Sequence, residues 1–149
     1  MTLTTLEDYP RFKKALDFVF KQEGIYSNDP DDMGGETKYG ISKRSHPELD
    51  IASLTRQDAE EIYYEEYWSP LACDMLDYRD ALLVFDSAVQ HGVARTFEWA
   101  KEIENWHDLI EVRRNFYKEI IENNPSQRKF ERGWNNRLAK LENEYAHSS

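Results

Sequence analysis

The stretch EGIYSNDPDDMGGETKYGIS, residues 23–42, decides how the chain reads: Glu23 closes an amphipathic helix, and a turn-rich segment holding Asp29, Asp31, Asp32 and Thr37 follows it. Upstream, Phe12, Leu16, Val19 and Phe20 fall at helical spacing, with Asp8 placed to cap and Pro10 suited to the first turn, so a helix is predicted over residues 8–22. Glu23 lies one turn past Val19 and extends the same apolar stripe. A carboxyl placed where such a stripe meets a cleft loses solvation, which raises its pKa and keeps it protonated near neutrality as a general acid. Gly24 then releases the helix, and Asn28 to Gly35 carries Asn, Asp, Pro and Gly in the pattern of consecutive tight turns. A chain turning this often folds back over the Glu23 carboxyl. By position alone, a Glu at a helix end before Gly reads as a solvated side chain, and it is the following residues that favour chemistry.

Working outward, the rest of the chain reads as helices. Thr55 and Asp58 have capping-box spacing and start a helix predicted through Tyr67, with Ala59, Ile62, Tyr63 and Tyr67 inward. Residues 80–91 are apolar nearly all round, as in a buried helix, and Gly92 stands ready as its stop. Two amphipathic helices are predicted over 106–121 and 125–145, the second with Asn124 as cap and Pro125 in its first turn. No repeat, low-complexity tract or linker interrupts the series, which leaves a mainly α domain with a small turn or hairpin region near residues 24–41.

A length of 149 residues suits one compact domain with a sizeable core. The single cysteine, Cys73, excludes an internal disulfide, fits a reducing cytoplasm, and reads as a small buried side chain. The run ALDFVF is too short for a signal-peptide core or a membrane span and is broken by Asp17, so membrane insertion is not expected and export would need another protein. A formal net charge of −10, with no basic cluster, argues against nucleic acid as a partner. The same charge removes long-range attraction to an anionic polymer, although hydrogen bonds and stacking can still hold a sugar.

Metal and nucleotide chemistry find no motif. Asp29, Asp31 and Gly34 match three positions of a calcium loop, but Met33 and Gly40 fall where oxygen ligands are required. The four histidines, His46, His91, His107 and His147, show no zinc spacing, and Gly34 and Gly35 lack a following Gly-Lys-Ser/Thr. No cofactor or metal is expected.

Glu23, Gly24 and Tyr26, then Asn28, Asp29 and Pro30, then Asp32, Gly34, Gly35, Thr37, Tyr39, Gly40, Ile41 and Ser42 follow in order a pattern that resembles the phage-type muramidases of glycoside hydrolase family 108. Ile25 replaces the second Gly of its E-G-G-Y element. A second match comprises Tyr67, Trp68, Cys73, Asp74, Phe85, Asp86, Ala88 and Val89, and a weaker third comprises Phe130, Gly133, Trp134, Asn136 and Arg137. The resemblance is patchy over residues 93–112, where family members usually carry a longer stretch assigned to peptidoglycan binding.

The resemblance implies a lysozyme-like fold over residues 1–149, with 1–92 as catalytic half and 93–149 as a shortened C-terminal helical half. It implies hydrolysis of the β-1,4 bond between N-acetylmuramic acid and N-acetylglucosamine, with Glu23 as general acid and a water held by Asp32 and Thr37. Asp31 competes with Asp32 for that role, and whether the outcome is inverting or retaining stays open. Tyr26, Asn28, Tyr39 and Gln90 are candidate substrate contacts, although Tyr26 and Tyr39 also read as packing groups, Asn28 as a turn residue, and His91 as a helix C-terminal cation. The expected partner is the glycan strand of peptidoglycan, met by a monomer. The expected route is synthesis in a host cytoplasm without a signal peptide, release by a holin or secretion system, and action on the wall as an endolysin. A catalytically silent binder on the same fold and a lytic transglycosylase are the alternatives.

Overall fold

The computed structural model describes residues 9–23, 26–27 and 35–148, and the side chains of Glu23, Tyr26 and Ser27 lie outside that description. The described chain is mainly α with one small antiparallel sheet, and it falls into two compact units, residues 1–66 and 67–149.

In the first unit, helix α1 spans Pro10–Glu23 and buries Phe12, Ala15, Leu16 and Val19, the stripe read from the sequence. Asp8 lies outside the described residues. Three two-residue strands follow, β1 (Tyr26–Ser27), β2 (Thr37–Lys38) and β3 (Ile41–Ser42), with β2 in the middle of an antiparallel sheet. Strands this short need outside support. Tyr39 and Gly40 join β2 to β3 with φ of 52° and 81°, the two positive values that a tight hairpin with native twist requires. For tyrosine this conformation is strained; the Tyr63 hydroxyl donates to the Tyr39 carbonyl and the Phe20 ring lies 5.6 Å from the Tyr39 ring. Lys38 Nζ donates to the Ala52 carbonyl at 2.8 Å, tying the sheet to a short 3-10 turn at Ile51–Ser53.

The Thr55–Asp58 capping box forms as expected: the Asp58 N–H donates to Thr55 Oγ1 and the Thr55 N–H to Asp58 Oδ2, each at 3.1 Å. Helix α2 nevertheless stops as an α-helix at Arg56–Tyr63 and passes into a π turn over Tyr64–Trp68 instead of continuing to Tyr67. A π turn carries one residue more than an α turn and so rotates the inward face. Tyr64 and Trp68 are buried, while Ile62 and Tyr67, expected inward, are only half-buried.

In the second unit, 3-10 turns at Ser69–Leu71 and Cys73–Met75 lead to helix α3, Tyr78–His91. Asp77 caps it, accepting from the Asp80 N–H at 2.9 Å, and every residue from Ala81 to Ala88 is buried. Gly92, at φ 92°, ends the helix. Helix α4, Val93–Ala100, begins at once, an element not predicted from the sequence although Val93, Phe97 and Ala100 fall at helical spacing. Helices α5 (Leu109–Asn123) and α6 (Glu131–His147) complete the unit. Both start later than their apolar spacing predicts. Residues Trp106–Asp108 and Pro125–Phe130 are 3-10 instead, and the Asn124 side chain accepts from the Ser126 hydroxyl at 2.7 Å without capping a backbone N–H. Leu82, Leu83, Phe85, Leu109, Leu138 and Leu141 are fully buried here, each contributing about 1.5–3 kcal/mol. No described helix is long and apolar enough to cross a membrane.

Candidate functional site

The segment chosen from the sequence lies in the first unit. Glu23 is the last residue of α1, and beyond it the chain enters β1, where Tyr26 pairs with Lys38 and Ser27 with Thr37. Thr37 faces Ser42 on its other side. Directly opposed residues on antiparallel strands stand about 5 Å apart at Cα, so this register ties the Thr37 backbone to the strand that leaves the acid. Thr37 is half-buried, and its hydroxyl has no hydrogen-bond partner among the described residues. Tyr39, also half-buried, packs its ring near Phe20 and gives its carbonyl to Tyr63. The Glu23 and Tyr26 side chains and the whole of Asn28, Asp29, Asp31 and Asp32 lie outside the described residues. Among the described residues no three His, Cys, Asp or Glu side chains converge to hold a metal ion.

Gln90 belongs to the second unit and to a polar cluster that sequence spacing does not assemble. Its centre is Asp86, fully buried on the apolar helix α3. Arg113 Nη1 of α5 reaches Asp86 Oδ2 at 2.8 Å, and Arg137 Nη2 of α6 reaches Oδ1 at 2.8 Å. Burial alone would push this carboxyl up, but the Arg137 and Arg113 guanidiniums outweigh it and hold it at about 2. Arg113 is itself fully buried. Its remaining N–H groups donate to Ser87 Oγ at 3.3 Å, to His91 Nε2 at 3.1 Å and to Gln90 Oε1 at 2.6 Å. The Tyr117 hydroxyl also donates to Gln90 Oε1, at 2.8 Å. Burial and then the Arg113 charge push His91 down to about 2. The expected helix C-terminal cation is therefore a neutral ring, because burial and then the adjacent guanidinium both oppose a charge there.

Around this cluster stand aromatic side chains. The His91 ring lies 5.1 Å from Trp99 and 5.4 Å from Phe116, and Tyr117 stacks on Trp134 at 4.8 Å. Nearer the start of the unit, the Trp68 indole N–H donates to Asp74 Oδ1 at 2.7 Å and its ring meets Phe85 at 5.3 Å. Cys73 is fully buried, as expected, and burial with the nearby Asp74 charge pushes its thiol up to about 12. Trp68, Asp74, Phe85, Asp86, Trp134 and Arg137 are thus structural partners of one another or of their neighbours.

The glycosyl hydrolase 108 family model matches residues 16–92, just over half of the chain, and spans Glu23, Asp32, Thr37, Asp86 and Gln90. The chain belongs to glycosyl hydrolase family 108. It is accordingly a glycoside hydrolase by family, and the family acts on peptidoglycan. The structure is also similar to that of Brucella abortus SagA, with a TM-score of 0.75 at 22% identity over 92% of this chain and 94% of that one. At that identity the likeness concerns the fold, which is mainly α and lysozyme-like. None of the curated proteins compared with the chain matches it.

The family 108 chain carries one sequence signal for the Asp86 cluster. Asp86, followed by Ser87, interrupts an otherwise apolar run from Ala81 to Val89, and a charge in a buried helix demands a partner charge. The identity of that partner, two arginines on helices 27 and 51 positions away, is not written in any local spacing.

Proposed function

We propose that this family 108 protein is an N-acetylmuramidase of the endolysin type, cleaving the β-1,4 bond between N-acetylmuramic acid and N-acetylglucosamine in peptidoglycan. The observation that carries this reading is the family match across residues 16–92, which contains Glu23, Asp32 and Thr37 together. Glu23 protonates the leaving glycosidic oxygen as the oxocarbenium-like transition state develops. Water, held by the Asp32 carboxylate and the Thr37 hydroxyl, adds to the anomeric carbon while Asp32 takes its proton. The register of β2 against β1 supports Thr37 in this role, since it fixes the residue beside the strand that follows Glu23. A separation of about 6.5–9.5 Å between the Glu23 and Asp32 carboxyls would give inversion. Asn28, Tyr26, Tyr39 and Gln90 are assigned to the glycan. The working form is a monomer that reaches the wall through a separate holin or secretion system.

The test is mass spectrometry of purified peptidoglycan digested by the wild type and by Glu23→Gln. Reducing muramic ends from the wild type, with turnover lowered about 10²–10⁴-fold in the variant, are expected. Anhydro ends would turn the assignment to a lytic transglycosylase, and no products from either protein would remove the enzyme reading. Asp32→Asn is expected to cut turnover far more than Asp31→Asn, and the reverse order would exchange their roles.

A further inference from the structure

We propose that Ser42 is a further catalytic residue, whose hydroxyl donates from β3 to the attacking water while the Thr37 hydroxyl accepts from that water on β2. The inference rests on the muramidase reading for the water, and on the register of the small sheet for the placement of the two side chains.

That register decides which side chains meet. Thr37 lies opposite Ser42, and Lys38 opposite Ile41, across the turn made by Tyr39 and Gly40. The Lys43 N–H donates to the Glu36 carbonyl at 2.8 Å, so Glu36 and Lys43 form a hydrogen-bonded pair. Along an antiparallel ladder such pairs alternate with non-hydrogen-bonded ones, which makes Thr37 and Ser42 a pair of the second kind. Their Cα atoms stand about 4.5 Å apart, and side chains come closest in such a pair. Successive side chains of a strand point to opposite faces. Ile41 is buried and Lys38 Nζ reaches the Ala52 carbonyl, so their face is turned toward the interior of the first unit. Thr37 and Ser42, both half-buried, share the other face.

Donor and acceptor counting separates their roles. The Ser45 N–H donates to Ser42 Oγ at 3.1 Å, a local turn bond that fixes the oxygen and occupies one of its lone pairs. The Ser42 hydroxyl proton has no acceptor among the described residues, and no hydrogen bond joins it to Thr37. Two hydroxyls that flank each other without bonding are bridged by a water. Water has two protons and two lone pairs. Thr37 Oγ1 accepts one proton and the Ser42 hydroxyl donates to one lone pair, which leaves one proton for the general base and one lone pair for the anomeric carbon. As that carbon–oxygen bond forms, the glycosidic bond breaks, the leaving oxygen takes the proton of the general acid, and the base takes the proton of the water.

The hairpin that carries both hydroxyls is held from several sides. The Tyr63 hydroxyl donates to the Tyr39 carbonyl at its tip, Lys43 Nζ donates to the Leu49 carbonyl at 2.6 Å, and His46 Nε2 meets Glu66 Oε1 at 2.9 Å. A water between groups fixed in this way is oriented before the substrate arrives.

The experiment compares Ser42→Val with Ser42→Thr, two side chains of one shape that differ in the hydroxyl, on soluble glycan strands of peptidoglycan with products identified by mass spectrometry. Ser42→Val is expected to lower kcat about tenfold with KM unchanged, as for one hydrogen bond to a reacting atom. Ser42→Thr, which keeps the donor, is expected to restore most of that loss. Both thermal midpoints are expected within about 4 °C of the wild type, because the Ser45 N–H is exposed and returns to water. In a Thr37→Val background Ser42→Val is expected to cost much less than tenfold, since both hydroxyls act on one water. A kcat unmoved in Ser42→Val, an equal loss in Ser42→Thr, or losses that multiply in the double variant overturn the assignment and leave the muramidase. Anhydro ends from the wild type remove the attacking water, and with it both the muramidase reading and this role for Ser42.

Discussion

Asp86 carries more consequence than its size suggests, because its carboxylate bridges two guanidiniums that have almost no access to water. Replacing a buried ion cluster with apolar groups can be harmless, but removing one partner leaves the others charged and unsolvated. Asp86→Asn keeps the shape and strips the charge, and it is expected to lower stability by about 3–5 kcal/mol in urea unfolding; a loss under about 1 kcal/mol would mean that solvent reaches the arginines. His91 gives a pH signature with a definite sign. Its folded pKa, about 2, lies below the ordinary 6.5, so between those values the unfolded chain binds a proton that the folded chain does not. The stabilising contribution is complete above pH about 6.5 and is lost as pH falls, at up to about 1.4 kcal/mol per pH unit. His91→Asn is expected to flatten the fall in thermal midpoint between pH about 6.5 and about 4.5. Asp86, likewise depressed, adds its own loss only below the ordinary carboxylate range. At this scale the sequence marks Asp86 as anomalous and Gln90 as interesting, but it does not show that one arginine orients Gln90, or that burial together with that arginine keeps His91 neutral.

Among the elements, those with a local cause were legible. The apolar spacing of α1, the Thr55–Asp58 box and the Gly92 stop all work through residues within a turn of one another. The π turn at Tyr64–Trp68 is different, since α-helical spacing puts Tyr67 inward and only the extra residue of the π turn brings Trp68 to that place instead. Helix α4 escapes a reading by pattern because its eight residues follow a helix-stopping glycine without a spacer. Gly92 serves both helices: its φ of 92° with ψ of 152° is open to glycine alone, and a Cβ there would meet nothing within 4 Å. Gly92→Ala is therefore a pure backbone test, expected to cost about 1–3 kcal/mol. Thr55→Ala is expected to cost about 1 kcal/mol through the lost cap. Urea midpoints of the two variants give the order, and a Gly92→Ala protein as stable as the wild type would show that the α3–α4 corner relaxes into another conformation.

At the scale of the molecule, the residues that matched the family by sequence fall into two kinds. Glu23, Asp32 and Thr37 are the residues proposed for chemistry, while Trp68, Asp74, Phe85, Asp86 and Arg137 form packing and ion contacts in the second unit. A sequence pattern records both kinds alike, which is why the family could be read and the division of labour could not. Cys73 turns this second unit into its own reporter. The chain's one thiol is fully enclosed and held near 12, so a thiol-modifying reagent at neutral pH finds almost no thiolate until the surrounding turns open. Modification should then proceed at the frequency of that opening, and a mass spectrum counting labelled chains over time would time the breathing of the unit without any engineered probe. Rapid labelling of the native protein would mean that Cys73 is exposed without unfolding.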